Sequence, residues 1–135
     1  MMRGIYTDTV VDHVLNPRNY GGLSDADGCG TVITPDGDSI RVWLRVRNDH
    51  VTDASFWTDG CAASIASVSM ATELARGKSP AGALGVSHQD VLDALGGLPA
   101  GNVHCTLLAV NALREAVKDY LAVKKEPWKR NYRRY

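Results

Sequence analysis

Hydrophobic and polar residues alternate most regularly over Ser39–Arg47. Aliphatic side chains occupy every second position, and the positions between them carry three arginines and a tryptophan. A period of two is typical of a β-strand that buries one face and leaves the other in water. Shorter apolar runs over residues 28–33 and 51–58 flank this segment, and turn residues separate the three. The pattern predicts a three-stranded antiparallel meander, with Trp43 on the solvent-facing side of its central strand.

Apolar residues before and after the meander follow the spacing of helices. Residues 7–16 carry one apolar face, with Thr7 or Asp8 as the cap and Pro17 near the end. Three helical segments follow the strands, each with a recognisable boundary. They are predicted over residues 62–74, ended by Gly77, over residues 88–95, begun by a Ser87–Asp90 capping box, and over residues 104–124. The predicted fold class is α+β: a three-stranded antiparallel meander with helices packed on one face.

Length and composition indicate a single ordinary domain. The chain has 135 residues, of which 44% are hydrophobic and 22% charged. No apolar run approaches the roughly 18 residues that a membrane span requires. The first residues also lack the apolar stretch of a signal peptide. We therefore expect a cytoplasmic protein that does not bind membranes.

Charge is distributed unevenly, although the formal net charge is zero. Residues 124–135 contain six basic residues against one acid, together with Trp128 and two tyrosines. We predict one folded domain over residues 1–123 and a basic aromatic tail over residues 124–135. The simplest interpretation of the tail is a solvated chain end. An interaction module that docks on an acidic partner is the alternative, and nucleic acid is not the partner we expect.

Two of the three cysteines begin predicted helices. Cys61 follows the third strand in a Thr-Asp-Gly-Cys sequence, and Cys105 adjoins His104 after a loop rich in glycine. Free backbone N–H groups and the helix dipole at such positions favour the thiolate, which binds metals and reacts with sulfur. Two thiolates and an imidazole therefore indicate metal or sulfur chemistry. An odd, low cysteine count argues against a disulfide framework, and we interpret Cys29 on the first strand as structural.

A cysteine hydrolase is a competing interpretation. It would use Cys61 or Cys105 as the nucleophile, with His104 as the base for Cys61. That arrangement needs an orienting group and an oxyanion hole, and the sequence identifies neither. Packing in an alanine-rich helix would also explain Cys61 if it is considered alone. The two aspartates of the Asp36-Gly37-Asp38 turn are likewise explained by hydrogen bonds to nearby backbone N–H groups.

Four separate motifs together carry a resemblance to a known family. They are the Tyr-Thr-Asp to Asn-Pro-Arg-Asn opening of residues 6–19, the Gly-Cys to Ile-Ala-Ser segment of residues 60–67, the His104-Cys105 pair and Gly37-Asp38. From Tyr6 to about Tyr120, the chain resembles the NifU/IscU N-terminal-domain family of iron–sulfur cluster assembly scaffolds. That family carries Cys-Gly-Asp at the turn, so Asp36 here replaces the first ligand cysteine.

The resemblance implies a scaffold and not an enzyme. A cysteine desulfurase would supply sulfur to Cys105, the expected persulfide acceptor. Iron would bind among Asp38, Cys61, His104 and Cys105, with the cluster held chiefly by the two thiolates. A ferredoxin-type donor would supply electrons, and a [2Fe–2S] cluster would pass to apo iron–sulfur clients.

The missing cysteine leaves open how the fourth ligand position is filled. Asp36 is one candidate, as an oxygen ligand, and Cys29 is another. Two chains sharing one cluster in a homodimer would also complete the ligand set. Zinc suits the same side chains. A divergent relative that binds zinc or relays persulfide without building clusters is therefore the first alternative function.

Overall fold

The structure, a computed structural model, describes residues 5–126 and 128. Its elements in chain order are α1 (Asp8–Leu15), β1 (Gly28–Ile33), β2 (Ser39–Arg47), β3 (His50–Thr58), α2 (Ala62–Ala75), α3 (Pro80–Leu84), α4 (His88–Leu95), a short 3-10 turn (Ala100–Asn102) and α5 (His104–Lys125). The tail predicted from residue 124 begins inside α5, and its residues 127 and 129–135 lie outside the described part of the chain.

The three strands form one antiparallel sheet in the order β1-β2-β3, which confirms the predicted meander. Val42 on the central strand pairs with Gly30 on β1 and with Phe56 on β3. The aliphatic residues of β2 predicted to face the core are all buried, as the period of two requires. The strand pattern therefore fixes which face of the sheet receives the helices.

The helices pack on a single face of the sheet, as predicted. Helix α5 lies across β1 and β2, α2 lies across β3, and α1 packs against α2. The approach of α5 to β1 is unusually close, because a Cβ atom built on Gly30 would lie 2.4 Å from the backbone nitrogen of Ala116. Gly28 meets the same helix in the same way. This contact fixes α5, which carries His104 and Cys105 at its first turn.

Local signals placed the predicted helix ends correctly. Thr7 caps α1 by accepting a hydrogen bond from the backbone N–H of Val10, and Ser87 begins α4 with a complete capping box. Gly77 follows α2 with a φ of +84°, the left-handed conformation expected after a helix. Within the described residues, no helix combines the length and the apolar character needed to cross a bilayer.

Trp43 departs from the predicted wet outer face of β2. Its side chain is only 8% exposed, although it alternates with the buried aliphatic residues. The chain before β1 explains the difference, since Gly22 lies against the indole ring. The guanidinium of Arg41 also lies 5.9 Å from the ring centroid. A loop that folds back over the sheet leaves no mark in the periodicity of the strand itself.

Two short helical segments were not predicted. Helix α3 begins with Pro80 at its first turn and Ser79 as its cap, a local signal too short to carry an apolar period. The 3-10 turn occupies Ala100–Asn102, where the sequence indicates only loop. It leads directly into α5 through Val103, which already has helical backbone angles. His104 and Cys105 are therefore held by a continuous helical turn.

Candidate functional site

One cavity of about 170 Å³ brings together three distant stretches of chain. The β1–β2 turn, the junction between β3 and α2, and the start of α5 all contribute to its lining. All four side chains predicted as metal ligands line it, together with one predicted extra candidate and one residue that was not predicted. These six are Asp36, Asp38, Cys61, Ser64, His104 and Cys105.

Hydrogen bonds from backbone N–H groups to side-chain oxygens hold the aspartate turn beside the Cys61 junction. Within the turn, the Thr34 hydroxyl accepts from the Asp38 N–H at 3.2 Å, and Gly37 adopts a φ of +89°. The Asp59 carboxylate accepts from the Ser39 N–H at 2.7 Å, which joins the end of the turn to the segment before Cys61. Asp59 therefore positions the site without lining it, a role that the sequence did not reveal.

Ser64 connects the two cysteines of the cavity. Its hydroxyl oxygen lies 3.7 Å from the Cys61 sulfur and 3.7 Å from the Cys105 sulfur. The two thiols also interact with each other. Ser64 lies one turn into α2, three residues after Cys61, so that both face the same side of the helix. The two helix-opening cysteines predicted to converge do so around this buried hydroxyl.

The Cys61 thiol is exposed and is poised to ionise. Burial opposes the thiolate, but the backbone N–H groups of Ser64 and Ala63 and the Ser64 hydroxyl favour it by more. The pKa of Cys61 therefore lies below its ordinary value. This direction agrees with the expectation that a helix N-terminus favours the Cys61 thiolate.

The same prediction is wrong for Cys105. Its side chain is only 3% exposed, and burial raises the pKa of the Cys105 thiol above its ordinary value. The hydrogen bond from Ser64 works in the opposite direction, while the nearby Cys61 and Asp36 add to the rise. Desolvation and like charges here outweigh the position at the start of a helix. The cavity thus pairs an exposed thiol of lowered pKa with a buried thiol of raised pKa.

This asymmetry predicts a large difference in alkylation. At neutral pH, iodoacetamide should modify Cys61 at least about tenfold faster than Cys105, because both the thiolate fraction and access favour Cys61. The rate at Cys61 should also rise at lower pH than the rate at Cys105, since its pKa is the lower of the two. Peptide mapping of partly alkylated protein gives both rates. Equal rates, or faster labelling of Cys105, would contradict this description of the cavity.

The predicted ligands share the cavity but are not arranged around one ion. Among residues 5–126 and 128, no three His, Cys, Asp or Glu side chains stand in positions that hold a metal ion. His104 is exposed, and its Nε2 atom lies 3.9 Å from the Cys105 sulfur. Binding therefore requires side-chain rotation, chiefly of the exposed His104 and of the aspartates in the turn. Rotamer changes of exposed side chains take place within roughly picoseconds to nanoseconds.

Cys29 lies away from this cavity. It pairs with Trp43 in the sheet, and its backbone N–H donates to the Asp119 carboxylate at 2.9 Å. The cavity lining does not include it, and four residues of chain lie between it and Thr34, where the turn begins. The structure therefore favours a structural role for Cys29 and not its use as a replacement ligand.

The size and chemistry of the cavity restrict what it can hold. Small-molecule sites usually have volumes of about 300–1,000 Å³, whereas this cavity has about 170 Å³. It is suited to an ion or a small inorganic group bound by sulfur, nitrogen and oxygen. A larger cavity of about 350 Å³ lies near Leu74 and Val86, where its charged lining consists of Lys78, Asp90 and Asp93. Those side chains provide no soft ligand.

The contacts of His104 also weaken the hydrolase interpretation. Its ring nitrogen faces the Cys105 sulfur, whereas the hydrolase hypothesis requires His104 to act on Cys61. Cys105 is the thiol with the raised pKa and little exposure. A buried neutral thiol beside an exposed imidazole is a poor nucleophile for a substrate that arrives from solvent.

Sequence comparison finds a family and several relatives. The family model for the NifU-like N terminal domain matches residues 5–127. The iron-sulfur cluster assembly scaffold protein IscU 1 of Archaeoglobus fulgidus is 49% identical over 117 residues, which cover 86% of this chain and 76% of the relative. The iron-sulfur cluster assembly scaffold protein IscU of Aquifex aeolicus is 44% identical over 119 residues, with the same coverage of both chains.

Structural comparison gives the same architecture. A crystal structure of a nitrogen-fixing NifU-like protein (N-terminal) from Brucella abortus superposes with a TM-score of 0.67. The match covers 90% of this chain and 97% of that chain at 21% identity. At that identity the likeness concerns the fold, and it agrees with the α+β class predicted from the sequence.

Proposed function

Because the chain belongs to the family of NifU-like N-terminal domains, we propose that it is a scaffold on which iron–sulfur clusters are assembled. The cavity that contains Cys61, His104 and Cys105 is the assembly site in this proposal. The cluster is cargo, held while it is built and then released to another protein.

One observation carries the proposal. Two thiols from different elements meet at a single serine hydroxyl, inside a cavity that is smaller than usual small-molecule sites and is bordered by an imidazole and two carboxylates. Thiolates are the usual ligands of iron–sulfur clusters, and imidazole replaces some of them in known sites. The carboxylates are harder, weaker ligands for iron that is bound to sulfur. A mixed set of this kind suits a cluster that must leave.

Each side chain has a proposed role. Cys61 and Cys105 are the main ligands, His104 is the third, and Asp38 completes the set as a labile oxygen ligand. A cysteine desulfurase supplies sulfur as persulfide, and Cys105 holds it for cluster building. A ferredoxin-type donor supplies electrons, and a [2Fe–2S] cluster forms before transfer to an apo-protein. A cytoplasmic location and a scaffold role without turnover complete the proposal.

Asp36 stands where the resembling family carries a cysteine ligand, so the site lacks one thiolate and we predict a short-lived cluster. An Asp36→Cys variant should lengthen the lifetime of the reconstituted cluster by about tenfold or more, because thiolate binds iron in a cluster more tightly than carboxylate. The decay of visible absorption in the presence of a chelator measures this lifetime. Asp36→Asn is the matched control, since it removes the carboxylate without adding a thiol. A lifetime unchanged in Asp36→Cys would mean that the site does not use position 36.

Cluster transfer tests the proposal as a whole. The protein is incubated anaerobically with iron, cysteine and a cysteine desulfurase, then mixed with an apo-ferredoxin after the desulfurase is removed. We expect visible charge-transfer bands that move to the ferredoxin. Near-stoichiometric zinc by elemental analysis, with no bands formed after its removal, would instead support the zinc-binding alternative. The ligand chemistry of the cavity is what keeps that alternative in consideration.

A further inference from the structure

The two thiols of the cavity differ in accessibility, and this bears on how sulfur enters. Cys61 is exposed, whereas Cys105 is 3% exposed. A persulfide carried on another protein must bring its outer sulfur within bonding distance of the accepting thiol. Cys61 meets that requirement as the chain stands, and Cys105 meets it only after local opening, which is a minor state.

Ser64 joins the accessible thiol to the buried one. It is 4% exposed, and its single hydroxyl lies 3.7 Å from each sulfur. A hydroxyl is both a donor and an acceptor, so it can take a proton from one neighbour while it gives its own to another.

We propose that sulfur enters at Cys61 and passes to Cys105 in a relay positioned by Ser64, an inference that rests on the proposed scaffold function. In this relay the Cys105 sulfur attacks the outer sulfur of a Cys61 persulfide. A new bond forms between that outer sulfur and Cys105, and the bond from the outer sulfur to Cys61 breaks. Its electron pair stays on Cys61. The Ser64 hydroxyl, which donates to the Cys105 sulfur before transfer, turns to Cys61 and gives it a proton while accepting the one that Cys105 releases. The products are the Cys61 thiol and a Cys105 persulfide, and no oxidant or reductant is consumed.

The relay has a chemical advantage for a scaffold. A persulfide at an exposed cysteine can be attacked by any thiol in solution, because the rate of thiol exchange depends on how accessible the attacked sulfur is. Passage to the buried Cys105 shields it while leaving it at the wall of the same cavity. It also returns Cys61 to the free form, ready to bind iron or to accept a second sulfur.

Time-resolved persulfide mapping tests the relay. The full chain, without metal, receives a limiting amount of cysteine persulfide, is quenched with an alkylating agent at successive times and is mapped by mass spectrometry. We expect persulfide first on Cys61 and later on Cys105. In Cys105→Ser it should remain on Cys61, and in Cys61→Ser the labelling of Cys105 should slow by about tenfold or more because only the opened state reacts.

Ser64→Ala isolates the bridging hydroxyl. Sulfur should still appear on Cys61, but its passage to Cys105 should slow by about tenfold or more, in keeping with the loss of a positioned proton carrier. Ser67→Ala is the matched control. Ser67 is buried one turn further along α2, and within the described part of the chain its hydroxyl has no hydrogen-bond partner. That variant should transfer sulfur at the parental rate.

Three results would overturn the relay. They are labelling of Cys105 before Cys61, undiminished labelling of Cys105 in Cys61→Ser, and release of sulfide with a Cys61–Cys105 disulfide in place of transfer. An unchanged transfer rate in Ser64→Ala would remove Ser64 from the mechanism. Reconstitution with iron and inorganic sulfide separates these failures from failure of the scaffold function, because it needs no persulfide. A cluster that forms there while the mapping fails rejects the relay alone.

Discussion

Replacing either Cys61 or Cys105 with serine is expected to abolish cluster formation, with the visible bands falling by at least about tenfold. The cavity is lined by two cysteine sulfurs, and clusters depend on thiolate ligation. No other side chain of the cavity can replace a lost thiolate ligand, because the remaining donors are an imidazole and oxygens. Absorption after anaerobic reconstitution with iron and sulfide measures the effect.

Cys29→Ser provides the control for that experiment. Cys29 is the third cysteine of the chain, and it pairs with Trp43 outside the cavity. Its replacement should leave the bands at parental intensity. A cluster that survives in Cys61→Ser, or one that disappears in Cys29→Ser, would mean that the ligands are wrongly assigned.

The second large effect is on stability and concerns the contact that positions α5. Gly30→Ala should reduce the free energy of unfolding by about 3 kcal/mol or more. The added methyl group would collide with backbone atoms of α5, which cannot move aside as the end of a flexible side chain can. The added methyl would lie 2.4 Å from the Ala116 nitrogen and 2.6 Å from the Ala112 carbonyl oxygen. In a domain of this size the loss corresponds to a fall in melting temperature of roughly 10 °C or more.

Gly22→Ala is the matched glycine substitution for thermal unfolding. A methyl group there meets only the Trp43 ring at 3.9 Å, an ordinary contact. We expect a melting temperature close to that of the parent. A small effect of Gly30→Ala would show that α5 can move away from β1, and the position of His104 and Cys105 would then be less firmly fixed than the packing indicates.

The strands and helices that position the site were predictable because their periodicity is local. The alternation in β2 gave the inner face of the sheet, and the Ser87 capping box and Gly77 gave helix ends. These signals depend on neighbours a few residues apart. Two cysteines at helix starts also marked segments that meet at one cavity.

The properties that were missed depend on contacts distant in sequence. Trp43 is buried by a loop that precedes its own sheet partner. The Cys105 thiol is disfavoured as an anion by burial and by neighbours from two other segments. Ser64 looks in the sequence like one more small residue of α2, and only the packing of α5 beside it shows that it touches both sulfurs. The spacing of three from Cys61 was a signal that it shares that helix face.

A titration of the metal-free protein with Co²⁺ tests most directly whether distant parts of the chain build one metal site. Cobalt ligated by thiolates absorbs through sulfur-to-metal charge transfer, and its visible bands report the coordination geometry, so the test does not depend on cluster chemistry. We predict one saturable cobalt per chain, with charge-transfer intensity that falls by about half in Cys61→Ser and in Cys105→Ser. Visible bands should shift in His104→Ala. Absence of saturable binding, or full intensity after loss of either cysteine, would contradict the account.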